Sequence, residues 1–258
     1  MITTGTRMAR NRTVQLRRSS PRKRGPRAAE TRIPDSSLYR LMAWLSPAYP
    51  VGAFSYSSGL EWAVEAGDVT SADTLCRWLK ALLSGGVGFC DAVLFAHAYR
   101  ACETGNDSAL FEAVELAAAL VPSRERFLET TAQGRAFLDV TQATWPCPTV
   151  DHVIRIWSGP ITYPVAVAAA AAGHQIPLEQ SLAAYLQAVA ANWISAAVRL
   201  IPLGQTDGQR VTARLEPAIA ATTKRALIAA LDHAGSAVFR ADIAAMRHET
   251  QYTRLFRS

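Results

Sequence analysis

Residues 71–83 read "SADTLCRWLKALL", and the spacing within them decides the fold. Ser71 offers a side-chain oxygen ahead of a helix, and Asp73 puts negative charge into its first turn. Leu75, Trp78, Leu79 and Leu82 then fall at i, i+3, i+4 and i+7, a single stripe of a 3.6-residue period. A half-buried strand would alternate instead. Working outward, the pattern recurs. Helices are predicted from Ser36 or Ser37 to Trp44, over 59–66, from Ser71 to the Gly85-Gly86 break, and over 91–102, 109–120, 123–144, 163–173, 178–200, 207–232 and 241–246. A short turn is predicted over 151–157, and Pro217 predicts a kink or restart. Alanine outweighs valine and isoleucine, and no segment alternates. The predicted fold is all-α, about ten helices in a single compact helical-bundle-like domain.

Charge divides the chain unevenly. Residues 1–33 hold ten Lys or Arg and one acid, a net +9, while residues 34–258 carry a net −3. The run "RRSSPRKRGPRAAETR" (17–32) has almost nothing apolar to bury, so 1–33 is predicted to be a disordered basic N-terminal extension ahead of an all-helical domain, 34–258. The extension's composition fits contact with nucleic acid or anionic membrane, a transit peptide, or a dispensable addition. The folded body lacks the basic excess of a nucleic-acid binder. No secretory apolar region is seen, and the longest apolar block, "VAVAAAAAG" (165–173), is short of the roughly 18 residues of a membrane span, so no membrane association is expected. Cys76, Cys90, Cys102 and Cys147 form no CxxC and read as reduced thiols of a cytoplasmic protein.

The chemistry-bearing motifs are absent. "SGGVGFC" (84–90) is glycine-rich but has no lysine for a phosphate, and reads as a helix junction. There is no GxGxxG after a strand and no HExxH. The segment "SPAYPVGAFSYSSGLEWAVEAG" (46–67) does not match GxSxG, and Ser55, Ser57 and Ser58 have no local base. His97, His152, His174, His233 and His248 are scattered. No catalytic residue is assigned and the chain is not expected to be an enzyme; the alternative is a hydrolase whose serine and histidine meet only in three dimensions. Cys147 and His152 are five residues apart, but a closed metal site needs more ligands. His248 fits either a metal shared across a dimer or a protein contact. No metal-binding or cofactor-binding residue is assigned.

Three stretches carry more polar and aromatic character than folding demands. In 46–67, Ser57 or Ser58 is predicted to start the helix bearing Glu61 and Trp62, which leaves Phe54 and Tyr56 beside Pro47, Pro50 and Gly52 unexplained. In "RLIPLGQTDGQR" (199–210), Thr206 or Asp207 is predicted to cap the next helix; that leaves two glutamines and two arginines, in either a plain connector or a docking platform. In "MRHETQYTRLFRS" (246–258), Tyr252, Leu255 and Phe256 are apolar anchors among Arg247, Arg254 and Arg257, residue types enriched in binding hot spots. This tail either orders by docking on a partner or packs on its own domain.

On "SPAYPVGAFSYSSGLEWAVEAG", "VRLIPLGQTDGQ" (198–209) and "DIAAMRHETQYTRLFRS" (242–258), residues 36–258 resemble the UreF-type urease accessory proteins. The resemblance implies a cytoplasmic, all-helical homodimer without activity of its own. It implies an adaptor that binds the accessory protein UreD/UreH, recruits the GTPase UreG, docks on apo-urease and supports GTP-dependent insertion of nickel. Nickel is then cargo of the complex, and the chain has no cofactor. By position, Arg247, His248, Glu249, Tyr252, Arg254 and Phe256, in a partner-binding tail at 247–258, match the segment that orders on UreD/UreH. Arg199, Gln205 and Gln209 match the polar region facing the GTPase.

Overall fold

Eleven α-helices and no strand are found among the residues described by a computed structural model of the chain, 1–2 and 35–258. The helices are α1 (Asp35–Trp44), α2 (Leu60–Glu65), α3 (Ala72–Gly85), α4 (Val87–Thr104), α5 (Asp107–Ala119), α6 (Arg124–Thr144), α7 (Pro148–Ile156), α8 (Tyr163–Gly173), α9 (Leu178–Leu200), α10 (Gln205–Ile228) and α11 (Phe239–His248), with 3-10 turns at Ala53–Ser55 and Leu231–His233. The expected all-α class is met. The expectation of a disordered extension lies, beyond residues 1–2, outside the described residues.

The core is organised around α8. Val165 to Ala171 have no exposed surface at all, as a helix apolar on every side must when it is surrounded. Alanine lets neighbouring backbones come close, and α8 packs against α4, α6, α7 and α9. The approach of α6 is closest at Gly134, where a Cβ would overlap the Ile161 carbonyl just ahead of α8. The α3 stripe behaves as its spacing requires. Leu75, Leu79 and Leu83 are fully buried and Leu82 nearly so, while Trp78 is half-buried. Each such leucine contributes about 1.5–3 kcal/mol of burial. Helix α10 covers α3 and α9, and α11 lies across α2 and α6.

Several boundaries differ from expectation for physical reasons. Ser71 and Ser123, where helices are predicted to begin, cap α3 and α6, accepting the Thr74 and Arg126 amides at 3.3 Å each. Helix α4, however, begins at Val87 rather than 91. Gly88 sits inside it because a Cβ there would be 3.0 Å from the Leu82 carbonyl oxygen and the Leu83 Cα. The glycines permit a close α3–α4 corner. The expected turn over 151–157 is a nine-residue helix, α7, opened by Pro148, whose missing N–H is no loss in a first turn. Helix α10 runs through Pro217 without a break. Its N-cap is Gly204, not Thr206 or Asp207; Asp207 instead reaches back to accept the Gly204 amide at 3.3 Å.

Two helical segments, Ala72–Thr104 and Leu178–Leu200, are long and apolar enough to cross a membrane by length and composition, which corrects the expectation that no segment reaches that length. Their apolar faces are spent inside the fold: 61% and 50% of the most apolar windows are buried.

Candidate functional site

The three stretches singled out in the sequence converge. The first enters through Gly52, at φ 72°, turns once at Ala53–Ser55, and starts α2 through Ser58 and Gly59, at φ 57° and 78°. Left-handed backbone favours glycine, and a serine held there marks a position fixed by its surroundings. The fixing groups are plain. The Ser58 hydroxyl donates to Glu129 Oε1 at 3.0 Å and accepts from Arg126 Nη1 at 3.0 Å and Trp193 Nε1 at 2.9 Å. Its proton and both lone pairs are engaged, so Ser58 is a structural hub with no lone pair free for nucleophilic attack. Ser57 takes the helix-starting role predicted for the pair, its hydroxyl accepting the Glu61 amide at 3.3 Å.

The tail lies on its own domain. The Arg257 amide donates to the Ser55 carbonyl at 2.9 Å, and the Ser57 amide donates to the Ser258 carbonyl at 2.6 Å. Ser258 Oγ donates to Glu129 Oε2 at 2.6 Å. Glu61 accepts the Leu255 and Phe256 amides at 2.6 and 2.9 Å, so one buried carboxylate stands in for the backbone partners those amides lack. Of the three predicted anchors only Phe256 is buried; Tyr252 and Leu255 face solvent. Arg199 closes the assembly. Its guanidinium sits 4.3 Å from the Phe256 ring centroid and donates to the Phe54 carbonyl at 2.9 Å and to Ser195 within α9 at 3.1 Å. An exposed arginine thus ties together all three stretches by a cation–π contact and one hydrogen bond.

The predicted site residues therefore separate. Gln205, Gln209, Arg247, Tyr252 and Arg254 are exposed, and Glu249 is half-buried, accepting the Arg124 amide at 2.9 Å. His248 and Phe256 are buried and offer no surface in this arrangement.

Beside the junction an open cleft of about 300 Å³ runs between residues 45–54 and α9. Its floor was not foreseen: Asp91, Arg126, Glu129, Gln133, Tyr163 and Tyr185 line it. Arg126 and Glu129 pair at 2.5 Å, both buried. Burial works against the Arg126 charge, but Glu129 and Asp91 outweigh it and hold the guanidinium firmly protonated. Burial pushes the Asp91 carboxyl up to about 6, against the opposing pull of Arg126 and of the Tyr185 hydroxyl, which donates to it at 2.9 Å.

The sign of the Asp91 effect follows. Between its ordinary 3.8 and about 6 the folded chain keeps a proton that the unfolded chain has shed. Stability therefore falls as pH rises through that window, and the deficit is complete above it. Asp91→Asn removes the charge and keeps an acceptor for Tyr185. The expected gain, discounted because the carboxyl borders an open cleft, is about 1–2 kcal/mol at a pH of about 8 and almost none at about 4, read from urea unfolding at both. A loss at the higher pH would mean that the ionised carboxylate's bonds outweigh its burial.

The remaining candidates have local roles. Cys147 is buried and packed against Gly173, where an added Cβ would be 2.6 Å from its sulfur. His152 bonds Asp107 at 2.6 Å near the surface. Among the described residues no three His, Cys, Asp or Glu side chains converge to hold a metal ion. His97 and His174 contact the carbonyls of Ala229 and Trp145, each at 3.0 Å. The four cysteines are unpaired; burial pushes the Cys90 and Cys102 thiols up to about 12, so neither is a ready nucleophile.

The chain's relatives have a consistent character. The family model described as UreF matches residues 69–216. A protein of Bradyrhizobium diazoefficiens named "Urease accessory protein UreF" is 61% identical over 223 residues, covering 86% of this chain and 92% of that protein. One of the same name from Rhodopseudomonas palustris strain HaA2 is 59% identical over 234 residues, covering 91% and 98%.

Proposed function

The chain belongs to the UreF family of urease accessory proteins, and from that premise we propose that it is the adaptor of a urease-maturation complex. In this reading it bridges UreD/UreH and the GTPase UreG, docks with them on apo-urease, and supports GTP-dependent insertion of nickel, which is cargo rather than a cofactor of the chain. The adaptor is cytoplasmic and homodimeric, and works by positioning its partners rather than by catalysis.

The observation that carries the reading is the junction itself. Arg199 joins the first stretch, the 199–210 connector and the tail. Tyr252 is fully exposed and Leu255 largely so. Apolar side chains left in water at the edge of an otherwise closed polar network suit a partner's surface. Gln205 and Gln209 supply a separate polar rim.

Co-expression with UreD/UreH and UreG is expected to give a ternary complex on gel filtration. Tyr252→Ala combined with Leu255→Ala is expected to weaken UreD/UreH capture by tenfold or more, as loss of about 1.4 kcal/mol or more of hot-spot contact would. Thermal stability should be unchanged, because neither side chain is buried. Undiminished capture would move that interface elsewhere; failure of the unaltered chain to join folded partners would end the adaptor reading.

A further inference from the structure

His248 has no exposed surface, yet both of its ring nitrogens face carboxylates. Nδ1 is 2.6 Å from Glu125 Oε2 on α6, and Nε2 is 3.0 Å from Glu61 Oε2 on α2. A carboxylate only accepts, so satisfying both contacts requires two N–H donors on the ring, the protonated imidazolium. The same two carboxylates hold the segment that follows. Glu61 accepts the Leu255 and Phe256 amides, and Glu125 accepts from Arg254 Nη1 at 2.5 Å. With the imidazolium present, the two acids are balanced by His248 and Arg254. A neutral ring would point a lone pair at one carboxylate and leave a net negative charge under the tail.

We propose that His248 is a proton-operated catch. Protonated, it clamps residues 249–258 to the body through Glu61 and Glu125; deprotonated, it frees them. The hold is present while both ring nitrogens carry protons and is lost when the ring gives one up. Three charged groups face the catch: Glu61, Glu125 and Arg254. Glu65, which accepts from Gln251 at 2.5 Å, and Glu249, which accepts the Arg124 amide, lie at its margin. The proposal does not depend on the adaptor reading, since it concerns only the chain's own tail.

Hydrogen exchange of the full chain, corrected for intrinsic rates, tests it over a pH range of about 5.5–8.5. Amides of residues 250–258 are expected to exchange about ten- to a hundredfold faster on the alkaline side, the effect of losing one charge-assisted hydrogen bond. His248→Gln should abolish that step, and Asp91→Asn, which removes the carboxyl that burial pushes up to about 6 in the cleft floor, should leave it in place. Should His248→Gln fail to fold, the ring-nitrogen NMR shifts of the unaltered protein decide. Two ring protons below the exchange step and one above it support the catch. Tail exchange without a step, a step that survives His248→Gln, or a ring neutral throughout would overturn it.

Discussion

Replacing Glu129 with Ala is expected to cost about 3–5 kcal/mol of folding stability, because it leaves a buried arginine uncompensated. Glu129 and Arg126 keep 4% and 9% of their side-chain surface and pair at 2.5 Å. Glu129 also accepts from Ser58, Gln133 and Ser258, so one truncation strands a charge and three neutral donors. Asp91 would be the remaining counter-charge. Glu129→Gln, which keeps the shape and loses the charge, should fall between the two. On the outer face of the same helix, Arg135 and Asp139 pair at 2.9 Å but are well exposed, and Asp139→Ala should change stability by no more than about 0.5 kcal/mol. Denaturant midpoints of the three variants give the comparison. A Glu129→Ala cost near that of Asp139→Ala would mean that water from the cleft solvates Arg126 freely.

Gly59→Ala is the second large effect. At φ 78° an alanine carries about 1–2 kcal/mol of backbone strain. Space adds the larger part: a Cβ at Gly59 would lie 2.6 Å from the Ala245 amide nitrogen and 2.7 Å from its Cα. Those are main-chain atoms of α11, which cannot rotate away. Either α2 or α11 must shift, for a total of about 3 kcal/mol or more and a fall in Tm of roughly 6–12 °C. Gly52 is the matched control. Its φ is 72°, but an added Cβ would have no atom within 4 Å, so Gly52→Ala should show the backbone strain alone. Equal losses from the two substitutions would refute the packing argument.

Local features of the fold were legible and long-range ones were not. The helix starts at Ser71 and Ser123 could be recognised because a cap involves residues three apart. The helical stripe of 71–83 was legible for the same reason. The α6 interior was not. Its buried face carries Arg126, Glu129, Thr130, Gln133 and Thr141 beside Gly134, Phe137 and Leu138, and in sequence such residues read as a solvated helix surface. Their shared spacing with Phe137 was the one available sign that they face inward. Pro217 predicted a kink or restart, and α10 continues through it without a restart. Arg199 was singled out as a polar contact, but its link to Phe54 spans 145 residues, and no local pattern reports such a pairing. The buried state of His248 likewise depends on carboxylates 187 and 123 residues away.

The contact between Ser57 and Ser258 spans 201 residues. A chain made from its N-terminus therefore presents the first stretch long before the tail that covers it exists. Until residues 247–258 emerge, Glu61 has no tail amides to satisfy and Ser57 no carbonyl to bind. Loop closure over such a span is entropically slow and rewards the chain only at the end. The first stretch thus waits, its cover missing, through most of synthesis. That interval is when aggregation, or capture by another protein's extended segment, competes most directly with the tail's own docking.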